Sequence, residues 1–350
     1  MYKIAISGLG EAAQKIHIPA YSKLSNVEIV GGYDPYVTKA DFPFPVYDSL
    51  EALLDKARPD ILTVATPTDF HFEQTKLGLK FGCHVFCEKP FTTKIEEAKE
   101  IILLAKSANR WVVINQEFRY MNIHIAAKDK IKKSDFGELL FLTAHQTFYV
   151  SDKTEEGWRG KDIQRTCKEF GIHVLDLCRY FFDEEPTSIY ARFPKGSKPD
   201  GPDYLNLIQL EFSGDRVAHI ILDRYSKGRH RYLDMRLDGS EGTVETSLGG
   251  NIELKGGIKG GTRKPYINLD ISLGGNAYLY KGETAKKIAS DPLDLFPNAT
   301  SHLLKLFLEA LDLGEVPPCH AEDNLKTLAL MHAAYESHEK KIVVPVTHQE

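Results

Sequence analysis

Glu88-Lys89-Pro90 follows Cys83–Cys87, an apolar run that reads as a strand. A lysine at the carboxyl end of a parallel strand points at the nicotinamide end of a cofactor crevice. There its ammonium can hydrogen-bond a substrate hydroxyl and favour the alkoxide that hydride loss creates. Lys89-Pro90 is also a candidate cis peptide. The plain alternative is an exposed lysine in a turn. A second group, Gly8-Leu9-Gly10-Glu11-Ala12-Ala13, stands between the apolar run Tyr2–Ser7 and a helical pattern. Gly8 allows a tight turn, Gly10 lets a pyrophosphate lie against the backbone, and Ala13 lets helix and strand pack closely. The phosphates then sit at a helix N-terminus, which favours anions. Asp34 ends the next strand, Val27–Tyr33. Its carboxylate can accept both ribose hydroxyls of adenosine and would repel a 2′-phosphate. This favours NAD; NADP is the alternative, because Tyr33, Tyr36 and Lys39 can also shape a phosphate pocket. Asp34-Pro35 is at the same time a turn.

These residues need an open parallel sheet to bring them together. The first third of the chain alternates strands (Tyr2–Ser7, Val27–Tyr33, Asp60–Ala65, Cys83–Cys87, Trp111–Asn115) with helices (Ser49–Ala57, Asp69–Phe81, and one from Thr92 or Thr93 as cap to Asn109). Regular βαβα alternation predicts a doubly wound Rossmann sheet with right-handed crossovers. Ligands bind at the carboxyl ends of such strands. Those ends carry Gly8, Asp34, Thr66-Pro67, Glu88-Lys89-Pro90 and Asn115-Gln116, and one dinucleotide can touch them all.

Near Met121 the pattern changes, dividing the chain into residues 1–121, the cofactor domain, and 122–350, an α+β domain. A helix with Lys128, Lys130, Lys132 and Lys133 reads as a solvated face. Glu138–Tyr149 alternates like a strand, and Glu169–Phe182 is helical. From Ile189 to about Tyr280, runs such as Leu205–Phe212, Ala218–Tyr225, Tyr232–Asp238 and Thr243–Ser247 predict a large antiparallel meander. Gly249–Gly261 reads as loops between short strands. The basic run 227–231 reads as hairpin surface or part of a subunit interface. Helices Thr300–Leu313 and Ala321–His338 close the chain.

At 350 residues two domains are expected. A formal charge of -5 gives no bulk attraction to nucleic acid or membrane. No apolar run approaches the ~20 residues that span a bilayer, and the opening strand lacks the pattern of a signal peptide. The five cysteines form no CxxC pair, which points to a reduced, cytoplasmic chain without zinc.

Taken together, the motifs resemble the glucose-fructose oxidoreductase, inositol dehydrogenase and MocA-like family across essentially the whole chain. The resemblance rests on Gly8-Leu9-Gly10 with His17-Ile18-Pro19-Ala20, Ala65-Thr66-Pro67 with His71, and Cys87-Glu88-Lys89-Pro90. Arg119-Tyr120, Gly157-Trp158-Arg159, Gly171-Ile172-His173-Val174-Leu175-Asp176 and the last helix add to it. It implies NAD(P)-dependent oxidation or reduction of sugars, polyols or related alcohols and ketones, by homodimers or homotetramers built through the open C-terminal sheet. It implies Lys89 as catalytic lysine and His173 as the proton-transferring histidine. The cofactor set it implies is Gly8, Leu9, Gly10, Ala12, Ala13, Asp34, Thr66, Pro67, His71, Glu88, Lys89, Asn115 and Gln116. The substrate set is Lys89, Arg119, Trp158, Arg159, Glu169 and His173, with no metal.

Family members usually place an aspartate four residues before the histidine; here Glu169 stands there, able to orient His173 or bind a substrate hydroxyl. Gln164–Lys168 replaces the usual glycines, and its two basic residues suggest either an anionic substrate or a solvated loop. Asp176 has helix packing or capping as its alternative to catalysis. The competing reading is a dinucleotide-binding sensor that has lost catalysis.

Overall fold

Strand β1 (Tyr2–Ser7) sorts its side chains by parity. Ile4 and Ile6 enter one apolar cluster and Ala5 the other, so both faces of the sheet are buried, as a parallel sheet requires. The computed structural model describes residues 1–37, 42–147, 149, 162–195, 201–228, 231–249, 251–258, 265–272 and 274–346, with 251–258 and 265–272 as backbone.

Five further strands complete the first sheet: β2 (Val27–Tyr33), β3 (Val46–Tyr47), β4 (Ile61–Val64), β5 (His84–Cys87) and β6 (Val112–Ile114). The order is β3-β2-β1-β4-β5-β6 and every pairing is parallel. The winding direction reverses between β1 and β4, where a crevice opens beyond the strand ends. The two-residue β3 follows the Pro-rich link and is too short to read as a strand from sequence. A π-turn, Ala13–His17, leads into α1 (Ile18–Tyr21). Then come α2 (Leu50–Ala57), capped by the Ser49 hydroxyl on the Ala52 N–H at 3.0 Å, α3 (His71–Lys80) and α4 (Ile95–Ala108). Neither Thr92 nor Thr93 caps α4: Lys94 holds the cap position. The Thr92 hydroxyl instead donates to the Lys94 carbonyl and that of Thr93 to the Glu97 carboxylate.

The second half opens with α5 (Asn122–Ile131), β7 (Leu139–Thr147), a π-turn at Cys167–Gly171 and α6 (Ile172–Phe182). Lys128 is not on a solvated face. It is buried, and its ammonium donates to the Tyr180 and Phe181 carbonyls. Those belong to the last turn of α6, where carbonyls lack helical partners.

Strands β8 (Ser188–Arg192), β9 (Leu205–Phe212), β10 (Arg216–Asp223), β11 (Arg231–Gly239), β12 (Thr243–Leu248), β13 (Asn251–Ile258), β14 (Pro265–Ser272), β15 (Gly275–Lys281) and β16 (Thr284–Asp291) follow. The chain closes with α7 (Leu295–Leu313), α8 (Ala321–Lys340) and β17 (Val344–Pro345). The large sheet runs β16-β15-β12-β11-β7-β10-β9-β8-β17. It is mostly antiparallel but not a plain meander, because β10 pairs in parallel with β7 at its centre. The excursion through α6 supplies the crossover that a parallel pair needs. The glycine-rich segment is not simply loop: β13 and β14 pair as an antiparallel hairpin, with Gly256 and Gly257 inside a strand. Helix α7 begins at Leu295, earlier than expected, and Pro297 falls in its first turn, where no N–H is missed. Its Leu303, Leu304, Phe307 and Leu308 share a core with Ile4, Ile6, Phe86 and Val113, so a C-terminal helix covers one face of the first sheet.

Candidate active site

At the end of β1 the backbone of Gly8 has φ +88°, and a Cβ there would lie 2.7 Å from the Ala65 carbonyl carbon and oxygen. Only glycine fits. Gly10 is the opposite case: a Cβ would meet nothing within 4 Å, so the loop faces open space. Leu9, fully buried, anchors the loop between them, and its N–H donates to Asp34 Oδ2 at 2.9 Å. Asp34 Oδ1 accepts the Tyr36 N–H at 2.9 Å, which makes the expected turn. Ala12 and the buried Ala13 lie in the first turn of the helix that follows. An open glycine cradle, a helix start and a carboxylate at the second strand end fit a dinucleotide.

The loop after β4 is fixed from β5. Both ring nitrogens of buried His71 lie 2.8 Å from carbonyl oxygens, Nδ1 from Pro90 and Nε2 from Thr66. Burial lowers its pKa below the ordinary histidine value. The Thr66 hydroxyl donates to Gln74 Oε1, and Pro67 leads into the turn Thr68–Phe70. The Lys89-Pro90 peptide is cis.

Glu88 turns inward and accepts from His17 Nε2 and from Asn115 Nδ2, each at 2.8 Å. His17 Nδ1 meets the Tyr21 hydroxyl at 2.9 Å, and that hydroxyl meets Thr63 at 2.7 Å. Burial opposes the charge on Glu88. The His17 hydrogen bond and charge, the Lys89 charge and the Asn115 bond together outweigh it and hold the carboxyl down, at about 2. Asn115 Nδ2 also reaches Thr300 of α7 at 3.2 Å. The glutamate of the Glu-Lys-Pro motif thus ties β5 to β6 and to the first helix, and Lys89 projects from that tied strand end.

Lys89 Nζ donates to the Glu169 carbonyl oxygen at 2.8 Å, in the π-turn that runs into α6. One turn on, His173 lies flat on Phe118, with ring centroids 4.1 Å apart and planes 6° apart, and Phe170 meets it edge-on. Its Nδ1 is 3.1 Å from Gln116 Oε1. An amide oxygen only accepts, so Nδ1 carries the proton and Nε2 the lone pair. Burial, with the Lys89 charge second, holds the His173 pKa well below the ordinary value. Lys89 from one domain and His173 from the other therefore act on each other electrostatically.

Glu169 does not reach His173. Its carboxylate pairs with Arg165 at 3.5 Å and Arg224 at 3.4 Å. The expected four-residue spacing leaves the carboxylate's partner open, and here the two arginine guanidiniums hold it. The start of this segment is held by buried Asp203, which accepts the N–H groups of Arg165, Thr166 and Cys167 at 2.6, 2.7 and 3.1 Å. Arg119 is also placed differently from its expected substrate role. Its guanidinium forks onto Asp176 with two 2.6 Å bonds and reaches Asp323 at 3.1 Å. Asp176 accordingly has a structural partner. Trp158 and Arg159 lie outside the described residues.

Glu117, which the sequence reading did not single out, lies beside His173. It is buried, and its Oε1 lies 3.9 Å from His173 Nε2. Its only signal is position: it directly follows Asn115-Gln116 at the sixth strand end. Among the described residues no group of histidine, cysteine and carboxylate side chains could hold a metal. Residues 2–116 match the family described as "Oxidoreductase family, NAD-binding Rossmann fold" and residues 124–245 match the "GFO/IDH/MocA C-terminal domain".

The chain belongs to the Gfo/Idh/MocA oxidoreductase family. D-apiose dehydrogenase of Paraburkholderia graminis is 23% identical over an alignment covering 96% of this chain and 87% of that protein. D-glucoside 3-dehydrogenase of Escherichia coli K12 is 27% identical over 186 residues, covering 51% of this chain and 53% of that protein. The chain thus spans about half the length of several curated relatives that it matches. An oxidoreductase from Agrobacterium radiobacter, solved in complex with NAD+, L-tartaric acid and magnesium, has the same fold, with a TM-score of 0.82 at 18% identity over 99% of this chain and 98% of that one. No helix of the described residues is long and apolar enough to cross a membrane.

Proposed function

We propose that this Gfo/Idh/MocA member is an NAD-dependent oxidoreductase acting on a secondary alcohol or ketone of a sugar or polyol. The observation that carries this reading is the convergence of Lys89 and His173 beyond an open glycine cradle. His173 Nε2 accepts the hydroxyl proton. Lys89 has three N–H donors; one holds the Glu169 carbonyl and two remain for the reacting oxygen. Phe118 and Phe170 exclude water beside the histidine. NAD, when bound, supplies the hydride acceptor. The activities for which D-glucoside 3-dehydrogenase and D-apiose dehydrogenase are named support the substrate class.

Asp34 supports NAD over NADP. Residues 1–121 then serve the cofactor and 122–350 the substrate, in a reduced cytoplasmic protein. A homodimer or homotetramer is supported by Phe141, Tyr190 and Leu207, exposed on strands of the large sheet. The decisive test is hydride transfer followed by NADH absorbance across a panel of sugars, polyols and keto-sugars. Lys89→Ala should lower turnover roughly 10²–10⁴-fold while NAD binding persists; unchanged turnover removes Lys89 from the mechanism. Asp34→Ser should raise the NADP/NAD preference, and an unaltered ratio would discard the ribose assignment.

A further inference from the structure

Two features of Glu117 need a reason. Its carboxyl is buried beside a histidine without a hydrogen bond to it, and Oε2 has no hydrogen-bond partner among the described residues. A buried carboxyl left unsatisfied is costly. His173 is buried too, and with Nδ1 on Gln116 its Nε2 faces Glu117 Oε1 across 3.9 Å. One water, or a small rotation of the carboxyl, closes that gap.

We propose that Glu117, rather than Glu169, is the carboxyl partner of His173 and the place where the reaction's proton rests. This rests on the hydride-transfer reading above. In alcohol oxidation the C–H bond breaks with its electron pair going to the nicotinamide, and the O–H proton goes to His173 Nε2 as the C=O bond forms. The proton then passes from His173 to the Glu117 carboxylate, restoring the neutral imidazole. Ketone reduction runs the same path backwards, with Glu117 as the source. Glu117 acts through His173, so it is a positioning residue for the proton and not a group that touches substrate.

The electrostatics support the order of the two sites. Burial, the neighbouring Glu88 carboxylate and, more weakly, Asp176 push Glu117 up to about 8, against the downward pull of Lys89. Burial and Lys89 push His173 down. A single proton shared by the pair therefore rests on the glutamate. The charged and titratable groups facing Glu117 are Glu88 and Lys89 after β5, His173 and Asp176 on α6, and Tyr232 on β11, whose own pKa Glu117 helps to raise.

Two measurements on the full-length protein test this. The first is ¹³C NMR of the glutamate side-chain carboxyls without substrate, with Glu117→Gln assigning the signal. A carboxyl titrating near 8 that Glu117→Gln removes is expected; if Glu117 ionises in the ordinary carboxylate range, the proposal fails. The second is the pH profile of kcat/KM for alcohol oxidation from pH 6 to 10. The wild-type rate should rise through a limb near 8. Glu117→Gln should flatten that limb and lower turnover about tenfold or more, with NAD affinity kept and no loss of melting temperature, and Glu117→Asp should restore it. The same limb persisting in a folded Glu117→Gln protein overturns the relay. A wild-type protein that shows the carboxyl titration but transfers no hydride to any substrate would instead overturn the functional reading.

Discussion

Two glutamates of the site titrate in opposite directions, and each leaves its own mark on stability. Glu117 holds its proton to about 8 in the folded chain, whereas an unfolded glutamate releases it near 4.3. Between those values the folded state binds more protons, so stability falls as pH rises from about 4.5 to 8, at a limiting slope on the order of 1.4 kcal/mol per pH unit. Thermal melts should therefore show Glu117→Gln with a shallower pH dependence across that window and a higher melting temperature than wild type above pH 8. Equal slopes would mean Glu117 is ionised throughout. Glu88 works the other way: held near 2, it stabilises above the ordinary carboxylate range and loses that contribution as pH falls from about 4.5 towards 2. The places of Lys89, Gly8, Gly10 and Asp34 were legible because they are local, set by a strand end and a turn. Glu117 was not, since nothing in Asn115-Gln116-Glu117 says that β5 and α6 will surround it with Glu88, Lys89 and His173. Glu169 was assigned to His173 on helical spacing, whereas Arg224, which draws its carboxylate, is distant in sequence and could not be placed beside it.

At the scale of elements, the two glycines of the first turn separate folding from binding. A methyl at Gly8 must enter the Ala65 backbone, and its φ of +88° disfavours any L side chain. A methyl at Gly10 enters open space. Gly8→Ala should thus cost stability, roughly 1–3 kcal/mol by strain, read as a lower urea midpoint. Gly10→Ala should leave that midpoint in place and weaken NAD binding measured by calorimetry, because the added carbon occupies the phosphate cradle. Reversed outcomes would mean that the cofactor does not lie over Gly10. Elements with strict periodicity, such as β1, β2 and β9, agree with their sequence reading to the residue. The parallel pairing of β7 with β10 was not visible, because strand alternation carries no information about neighbours. Lys128 misled for a related reason: a lysine beside Lys130 and Lys132 looks solvated until α6 brings its carbonyl end over it.

For the whole molecule, the segment that carries Glu117 and Phe118 is also where the halves of the chain are fastened. In Glu117–Tyr120, Arg119 forks onto Asp176 of α6 and reaches Asp323 of α8. Arg179 joins the same network through Asp323 at 2.7 Å and a fork onto Glu185. The two arginines hold Asp323 down to about 2 against its burial. Removing one partner from a buried network leaves charge uncompensated, so Arg119→Met should cost about 3–5 kcal/mol in urea unfolding. Adding Asp176→Leu should recover part of that loss, because it takes away the stranded carboxylate, while Arg179 keeps Glu185 and Asp323. The fastening also positions the site: if the segment carrying Arg119 shifts, Phe118 no longer supports the His173 ring. Arg119→Met should therefore lower kcat more than it weakens NAD binding, since the glycine cradle lies on β1 and does not depend on the network. A variant that loses NAD affinity and turnover in equal proportion would show the network to be a general support of the fold, without a special hold on the histidine.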